Sequence, residues 1–240
     1  MFDAATNAIT QMFSPALRAV LWRTIGLSVL LIVAAGVALQ RLIVHVVGLG
    51  GTSLETTFGP QAHGPLNALA WILSFAAGFG IIAGSIFLMP AVTAIVGSFY
   101  ADRIGDEVER EHYPADPPGK ALPLQVALWE GLKTALLAVL IYLCAVPLVL
   151  FAGFGAVIFF LATAYILGRE YFELAAMRFR SPAEAKWLRK QNATMVFIGG
   201  LLIAVFVSVP IVNLATPLFA MAFMVHLHKR ASAKSLIAQA

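Results

Sequence analysis

Three long stretches of this chain contain no Asp, Glu, Lys or Arg, and each has a proline inside it. They are Thr56 to Ala101, Thr134 to Gly168 and Gln191 to Val225. Such stretches belong in lipid, since a bilayer span needs only about 20 apolar residues. However, one helix of about 35 residues would be about 50 Å long, whereas the hydrocarbon core is about 30 Å thick. How each stretch resolves this mismatch therefore decides the architecture.

The composition places the chain among all-α integral membrane proteins. Of its 240 residues, 60% are hydrophobic and only 12% are charged. Too little polar chain remains for a separate soluble domain, so we expect one membrane domain over residues 1–240. The single cysteine, Cys144, lies in an apolar stretch and can form no intrachain disulfide.

The pattern of residues 1–23 predicts an amphipathic helix at the membrane surface. The alternative is a soluble segment that precedes the first span. The apolar side chains recur at helical spacing, at Phe2, Ala5, Ile9, Met12, Phe13, Ala16 and Val20. The polar side chains take the other side, at Asp3, Thr6, Asn7, Thr10, Gln11, Ser14 and Arg18.

Two segments predict full transmembrane helices. The first covers residues 24–47 and the second covers residues 66–101, which Pro90 kinks. The second helix is expected to continue into water to about residue 112, because charged residues begin at Asp102. The segment between the spans, 48–65, is rich in Gly, Thr and Pro and predicts a loop.

The two later stretches predict re-entrant helical hairpins, at 134–168 and 191–230. In the first, Pro147 with the glycines after it predicts a break near the middle, leaving arms of about 13 residues that are too short to cross. In the second, the break is expected between Pro210 and Pro217. Both hairpins would enter the bilayer partway and return to the same face.

The positions of the basic residues favour this topology. Lys and Arg number six in 169–190, and these six would lie outside if every stretch crossed once, against the positive-inside tendency. With re-entrant hairpins every basic cluster shares one face, and only Arg41 lies opposite. Two complete hairpins with four crossings would satisfy the charges equally. The basic residues show no nucleic-acid-binding pattern.

Broken helices inside a membrane are tolerated only where protein buries them or where they line water. Their free backbone groups build ion sites in transporters. Asn213, between the two prolines of the last stretch, is a candidate pore residue, and a helix cap is the competing interpretation.

Charged residues of 102–111 form a second candidate site. Helical spacing puts Arg103, Glu107 and Arg110 on one face. Another face carries three carboxylates, Asp102, Asp106 and Glu109. Oppositely charged side chains at this spacing are typical of a helix that is exposed to water and whose side chains pair with each other. The functional interpretation is a vestibule in which arginines meet an anion.

The start of the first long helix is a candidate oxyanion site. Ser14 and Pro15 predict a helix start, with Leu17 and Arg18 in its first turn and Arg23 further along. A helix N-terminus beside an arginine attracts oxyanions. Arg23 is either a second donor or a headgroup anchor.

Little in the sequence indicates an enzyme. His226 and His228 have a metal-like spacing, but no further Cys, His or carboxylate stands close by in the sequence. No phosphate-binding Gly-rich loop with its lysine is present, so we expect no cofactor and no ATP-driven transport.

Four parts of the chain resemble the CysZ-type sulfate permease family, within the etoposide-induced membrane protein superfamily. They are Pro15-Ala16-Leu17-Arg18, Pro90 with the helix Ala101 to Glu109, Gly168 to Glu173 leading to Arg178, and Pro210-x-x-Asn213-Leu214-x-x-Pro217. In the first part this chain has Ala16 where the family has glycine, and Ala19 where the family has a second arginine.

The resemblance implies two transmembrane helices and two partly inserted hairpins in a homo-oligomer. It implies a protein of the bacterial inner membrane that conducts sulfate, or sulfite and related oxyanions, inward for cysteine biosynthesis. The sulfate site would include Leu17, Arg18 and Arg23. The alternative is a membrane assembly or scaffold protein without transport activity, since the superfamily includes members of that kind.

Overall fold

The computed structural model describes residues 2–58, 100–152 and 155–237, where all regular secondary structure is helical. The helices there are α1 (Phe2–Met12), α2 (Pro15–Phe58), α3 (100–112), α4 (Leu124–Ala152), α5 (Gly155–Met177), α6 (Pro182–Gln191), α7 (Ala193–Ser208), α8 (Pro210–Asn213) and α9 (Thr216–Ile237). Three segments are long and apolar enough to span a membrane, namely Pro15–Leu42, Gln125–Ala145 and Gly155–Met177. The predicted all-α membrane fold is confirmed.

The predicted N-terminal helix is present over residues 2–12 as α1, and its large apolar side chains are mostly not the ones that pack against other helices. Phe2 and Phe13, which lie on the side predicted to face the membrane surface, are 83% and 64% exposed. The buried positions are Ala4, Ala8, Gln11 and Met12. Two alanines let the backbone of α1 lie close to α9, and Gln11 is tolerated in the interior because it finds polar partners there. The large apolar side chains therefore point outward.

The first predicted span, 24–47, lies inside α2, which extends in both directions beyond it. The predicted interfacial segment 1–23 is divided, since α2 already begins at Pro15. The loop predicted for 48–65 is wrong over 48–58, because these residues are helical. A helical glycine costs only about 1 kcal/mol, so the glycines there do not end an established helix. The second predicted span lies outside the described residues up to position 99, while α3 ends at 112, as expected.

Of the residues that predicted a break near the middle of this stretch, Pro147 does not end a helix, whereas Gly155 begins a new one. Helix α4 continues through Pro147 to Ala152, and α5 begins at Gly155. The arms are 29 and 23 residues long because the helices extend into the charged flanks of the uncharged stretch. Ion pairs such as Lys133 with Glu130 accompany these extensions. Both arms are thus long enough to cross, and their length gives no argument for partial insertion.

The break in the last stretch falls where it was predicted. Helix α7 ends at Ser208, the short α8 follows, and α9 begins at Thr216. Helix α7 has only 16 residues. It is bent by 92° from α6, with Asn192 between them. Helix α6 starts with a capping box in which Ser181 and Glu184 bond each other's backbone N–H groups, and Pro182 stands in its first turn.

The core is built around α9, which packs against α1, α5 and α7. Its side chains from Leu218 to Val225 are almost fully buried. Helices α5 and α7 cross at Gly168 and Gly200, where the backbones touch. A Cβ atom on Gly200 would lie 2.0 Å from the carbonyl oxygen of Ala164, so only glycine fits.

Candidate functional site

The candidate oxyanion site lies at the start of α2. Ser14 caps the helix, since its Oγ accepts a hydrogen bond of 3.3 Å from the N–H of Leu17. The carbonyl oxygen of Ser14 accepts the first helical bond from the N–H of Arg18 at 2.8 Å. The Leu17 side chain is buried in the core, which fixes the orientation of this first turn.

Arg18 and Arg23 are both exposed. Within residues 2–58, 100–152 and 155–237, no carboxylate forms an ion pair with either guanidinium. Because they are five residues apart on one helix, they are rotated by about 140° about its axis. The structure thus supplies two unpaired arginines near the helix start that do not share a face.

The predicted vestibule face of α3 carries Arg103, Glu107 and Arg110. Arg110 forms an ion pair with Glu107, and its side chain is 74% exposed. Arg103 is exposed, with no ion-pair partner in the part of the chain that the structure describes. One of the two arginines is therefore held by a carboxylate, and the other is unpaired.

The other face of α3 gathers its three carboxylates around one buried arginine, Arg178, whose side chain is 1% exposed. Arg178 Nε donates to Glu109 Oε1 at 2.9 Å, and Nη1 donates to Asp102 Oδ1 at 2.9 Å. Nη2 donates to Asp106. Burial alone would lower the pKa of Arg178, but hydrogen bonds to Glu109 and Asp106 outweigh it and raise that pKa. The guanidinium is thus firmly charged.

Two glycines make room for this guanidinium. A Cβ on Gly105 would lie 2.7 Å from Arg178 Nε, and one on Gly119 would lie 3.0 Å from it. The N–H of Gly119 also donates to Glu109 Oε2 at 2.8 Å. Helical spacing predicted that the three carboxylates share a face, but it did not identify Arg178 as their partner. Gly105, between Asp102 and Asp106, was the one sign in the sequence that a large group packs closely against this face.

A second buried ion cluster joins α5 to α6 at Glu173. Its Oε1 accepts from Arg169 Nε at 3.1 Å. Arg189 Nε lies 2.7 Å from the same oxygen. That second contact is an ion pair without hydrogen-bond alignment, since Arg189 Nε makes no hydrogen bond. These two arginines are therefore occupied by Glu173.

A pocket of about 170 Å³ lies between α3, α4 and α5. Its polar lining includes Asp102, Glu130, Glu170 and Glu173. No lysine or arginine is among the described residues that line the pocket, so the lining itself offers sulfate no counter-charge.

Asn213 is buried at the break between α8 and α9, with 3% of its surface exposed. Its N–H donates to the Val209 carbonyl at 2.8 Å. Three residues on, the Thr216 hydroxyl is buried without a hydrogen-bond partner at the start of α9. The structure thus places an amide and an unsatisfied hydroxyl at the broken end of the hairpin.

His226 and His228 lie beyond the uncharged stretch and outside the candidate spans, and both are buried. Neutral His226 can accept at Nδ1 from the Tyr113 hydroxyl (2.8 Å) and donate from Nε2 to Gln11 Oε1 (3.2 Å). His228 stacks on Phe179. Burial lowers the pKa of His226 to about 4 and that of His228 to about 3.

The two histidines thus belong to the packing between helices. Among the described residues, no group of three His, Cys, Asp or Glu side chains has a metal-binding arrangement.

Comparison with known proteins agrees with a membrane setting and an anion substrate. Residues 4–217 match the family EI24, described as "Sulfate transporter CysZ/Etoposide-induced protein 2.4". Searches of curated proteins and of solved structures found no match. The family description names a transporter and no enzymatic activity. Because the match covers most of its 240 residues, this multi-pass membrane chain belongs to the family of the sulfate transporter CysZ and etoposide-induced protein 2.4.

Proposed function

We propose that this protein is a sulfate permease or channel that carries sulfate inward across the bacterial cytoplasmic membrane for cysteine biosynthesis. The observation that carries the proposal is Arg18, an exposed guanidinium in the first turn of α2 without an ion-pair partner among the described residues. A protein that transports sulfate needs a positive charge that is free to bind the anion, and this chain belongs to a sulfate transporter family. Sulfite and related oxyanions would present the same charged oxygens.

Sulfate would bind at the start of α2. Arg18 donates hydrogen bonds to two sulfate oxygens, and the positive end of the helix dipole adds to the attraction. The Leu17 N–H bonds Ser14 Oγ at 3.3 Å, which is longer than a usual N–H···O bond. This amide can therefore exchange its neutral partner for the anion.

Arg23 would act at a second step. It lies about 7.5 Å further along α2 and points about 140° away from Arg18, so one ion cannot easily contact both side chains. We infer that Arg23 receives the ion after Arg18 instead of sharing it. Two weak binding sites, one after the other along the path, favour onward movement of the ion over its retention.

The vestibule and the broken hairpin complete the proposed route. Arg103 attracts anions, while Glu107 holds Arg110 in place and reduces the total charge. At the hairpin break, Asn213 is a pore residue that offers polar groups to a partly dehydrated ion. No ATP site is expected, so sulfate would follow its gradient or a coupled ion.

The conducting unit would be a homo-oligomer. In the predicted topology, two transmembrane helices and two partly inserted hairpins would enclose too little space for a pore within one protomer. The largely exposed apolar surface of α4, including Leu136, Leu140 and Leu143, leaves room for contact with lipid or a second copy.

Radiolabelled sulfate flux into proteoliposomes tests this function. Vesicles with inserted protein should take up sulfate faster than empty vesicles. Arg18→Ala should reduce this flux by about tenfold or more, because a hydrogen-bonded charge contributes about 1.5–3 kcal/mol. Flux no higher than that of empty vesicles would refute the transport function.

A further inference from the structure

A cluster near the start of α4 brings two lysines onto one carboxylate. Lys133 Nζ donates to Glu130 Oε1 at 3.0 Å, and Lys186 Nζ, from α6, donates to the other oxygen. The Glu130 side chain is 11% exposed, whereas Lys133 is 43% and Lys186 29% exposed. One carboxylate neutralises only one of two ammonium groups. The cluster therefore keeps about one positive charge, and each lysine has donors left for another acceptor.

Two exposed tryptophans accompany this cluster. Trp129 precedes Glu130 and is 59% exposed, and Trp187 follows Lys186 and is 51% exposed. Lys133 Nζ lies 5.0 Å from the centre of the Trp129 ring, so the ring helps to orient the lysine. Exposed tryptophans are enriched where the headgroups meet the acyl chains.

The cluster lies at a single end of the α4–α5 hairpin. The candidate span of α4 begins at Gln125, and that of α5 ends at Met177. Because α4 and α5 are consecutive, mutually packed helices, these two ends lie on the same side. Helix α6 follows directly and is turned by 92° from α7, as suits a helix lying in the interface.

We propose that Lys133 and Lys186 bind the phosphate of an anionic phospholipid, such as phosphatidylglycerol. Trp129 and Trp187 lie against its glycerol and upper acyl chain. The argument is charge complementarity, since the net positive cluster matches a headgroup with net negative charge and has no such match with zwitterionic phosphatidylcholine. The site is separate from Arg18 and does not rest on the proposed sulfate transport.

Quenching of tryptophan fluorescence by brominated lipid tests this site. The full chain carries four tryptophans, so Trp22→Phe and Trp71→Phe leave Trp129 and Trp187 as reporters. This parent is reconstituted in phosphatidylcholine vesicles with a small fraction of dibrominated phosphatidylglycerol or dibrominated phosphatidylcholine. We expect about fivefold stronger quenching per mole by the anionic lipid, the preference that one cation near the membrane surface gives.

Lys133→Gln with Lys186→Gln should bring this preference down to about one. Lys120→Gln removes an exposed lysine from the loop before α4. This variant should keep the preference for the anionic lipid. Equal quenching by both lipids in the parent would overturn the proposal, whether or not the double variant folds. An equal loss in Lys120→Gln would indicate general surface charge, and would overturn it too. Displacement of the brominated lipid by dissolved inorganic phosphate would assign the cluster to free anions, and would overturn the proposed lipid site.

Discussion

Glu109 Oε1 accepts a hydrogen bond of 2.9 Å from Nε of Arg178, 69 residues later in the chain. Both side chains are buried. The bond ties α3, which emerges from the predicted second span, to the corner between α5 and α6. Because Asp102 and Asp106 join the same guanidinium, one arginine holds three side chains of α3 in place.

Replacing Arg178 should therefore destabilise the fold strongly. Arg178→Met leaves Glu109 buried without its counter-charge, and we expect a loss of about 3 kcal/mol in the free energy of unfolding. The matched control Arg110→Met breaks an exposed pair on the same helix and should cost less than about 1 kcal/mol. Thermal unfolding in detergent measures both, and similar shifts in Tm would contradict this role of Arg178.

The contact between α5 and α7 should tolerate no added methyl group at Gly200. A Cβ there would lie 2.0 Å from a backbone oxygen, so Gly200→Ala must push the two helices apart. Gly131→Ala in α4 is the control, because its Cβ would meet nothing within 4 Å. We expect a lower Tm for the first variant and an unchanged or slightly higher Tm for the second. Equal Tm values would show that the crossing is looser than described.

Acid should destabilise the protein through its buried histidines. The pKa of His226 in the folded state is lowered to about 4, below its ordinary value of 6.5. The unfolded chain therefore binds a proton first as the pH falls, and stability is lost from about pH 6.5 down to about pH 4. Between pH 7 and pH 5 this loss is about 2 kcal/mol for His226.

The pH dependence of the free energy of unfolding tests this expectation. His228 behaves similarly, since burial lowers its pKa to about 3. His226→Gln should consequently remove about half of the total pH dependence between pH 7 and pH 5. A wild-type stability that stays flat over this range would contradict the neutral, buried state of both histidines.

The sequence predicted what depends on composition and local spacing. Uncharged length predicted the membrane class, the proline pair predicted the break before Thr216, and helical spacing grouped the carboxylates of α3. The features that the sequence did not predict depend on contacts between residues that are far apart in the chain. Nothing near Gln11 indicates that its side chain is buried, because its partners His112 and His226 stand 101 and 215 positions away.

Pro147, one of the residues that predicted the break in the first hairpin, lies inside α4 for a different reason. A proline removes only one backbone donor, and a membrane helix tolerates that loss when its neighbours compensate. The uncharged stretch is also shorter than the two helices that it contributes to. In the structure, paired charges such as Glu130 with Lys133 extend α4 beyond it. Charged residues that pair within a helix therefore fit into it beyond its apolar length.

The insertion depth of the first hairpin remains a prediction, and Cys144 can test it. This single cysteine is exposed on the surface of α4, so a lack of labelling would report contact with lipid and not burial in protein. It lies about 30 Å along α4 from Leu124, the thickness of the hydrocarbon core. If α4 crosses straight, Cys144 reaches the opposite interface. A partly inserted hairpin keeps it in lipid.

We therefore expect no reaction of Cys144 with a membrane-impermeant maleimide from either side of oriented vesicles. The control is Ala115→Cys in a Cys144→Ser background, which places a thiol in the exposed loop after α3 and should label from one side. Labelling of Cys144 from the side opposite to position 115 would favour two complete crossings for this hairpin.

Sulfate binding by wild type and Arg18→Ala tests the central claim most directly. Arg41→Ala is the matched control, since Arg41 is an exposed arginine of the same helix about 35 Å from Arg18. Equilibrium binding of radiolabelled sulfate to protein in detergent should be weakened by about tenfold or more in Arg18→Ala and unchanged in Arg41→Ala. Equal affinity of wild type and Arg18→Ala would contradict the sulfate site at the start of α2.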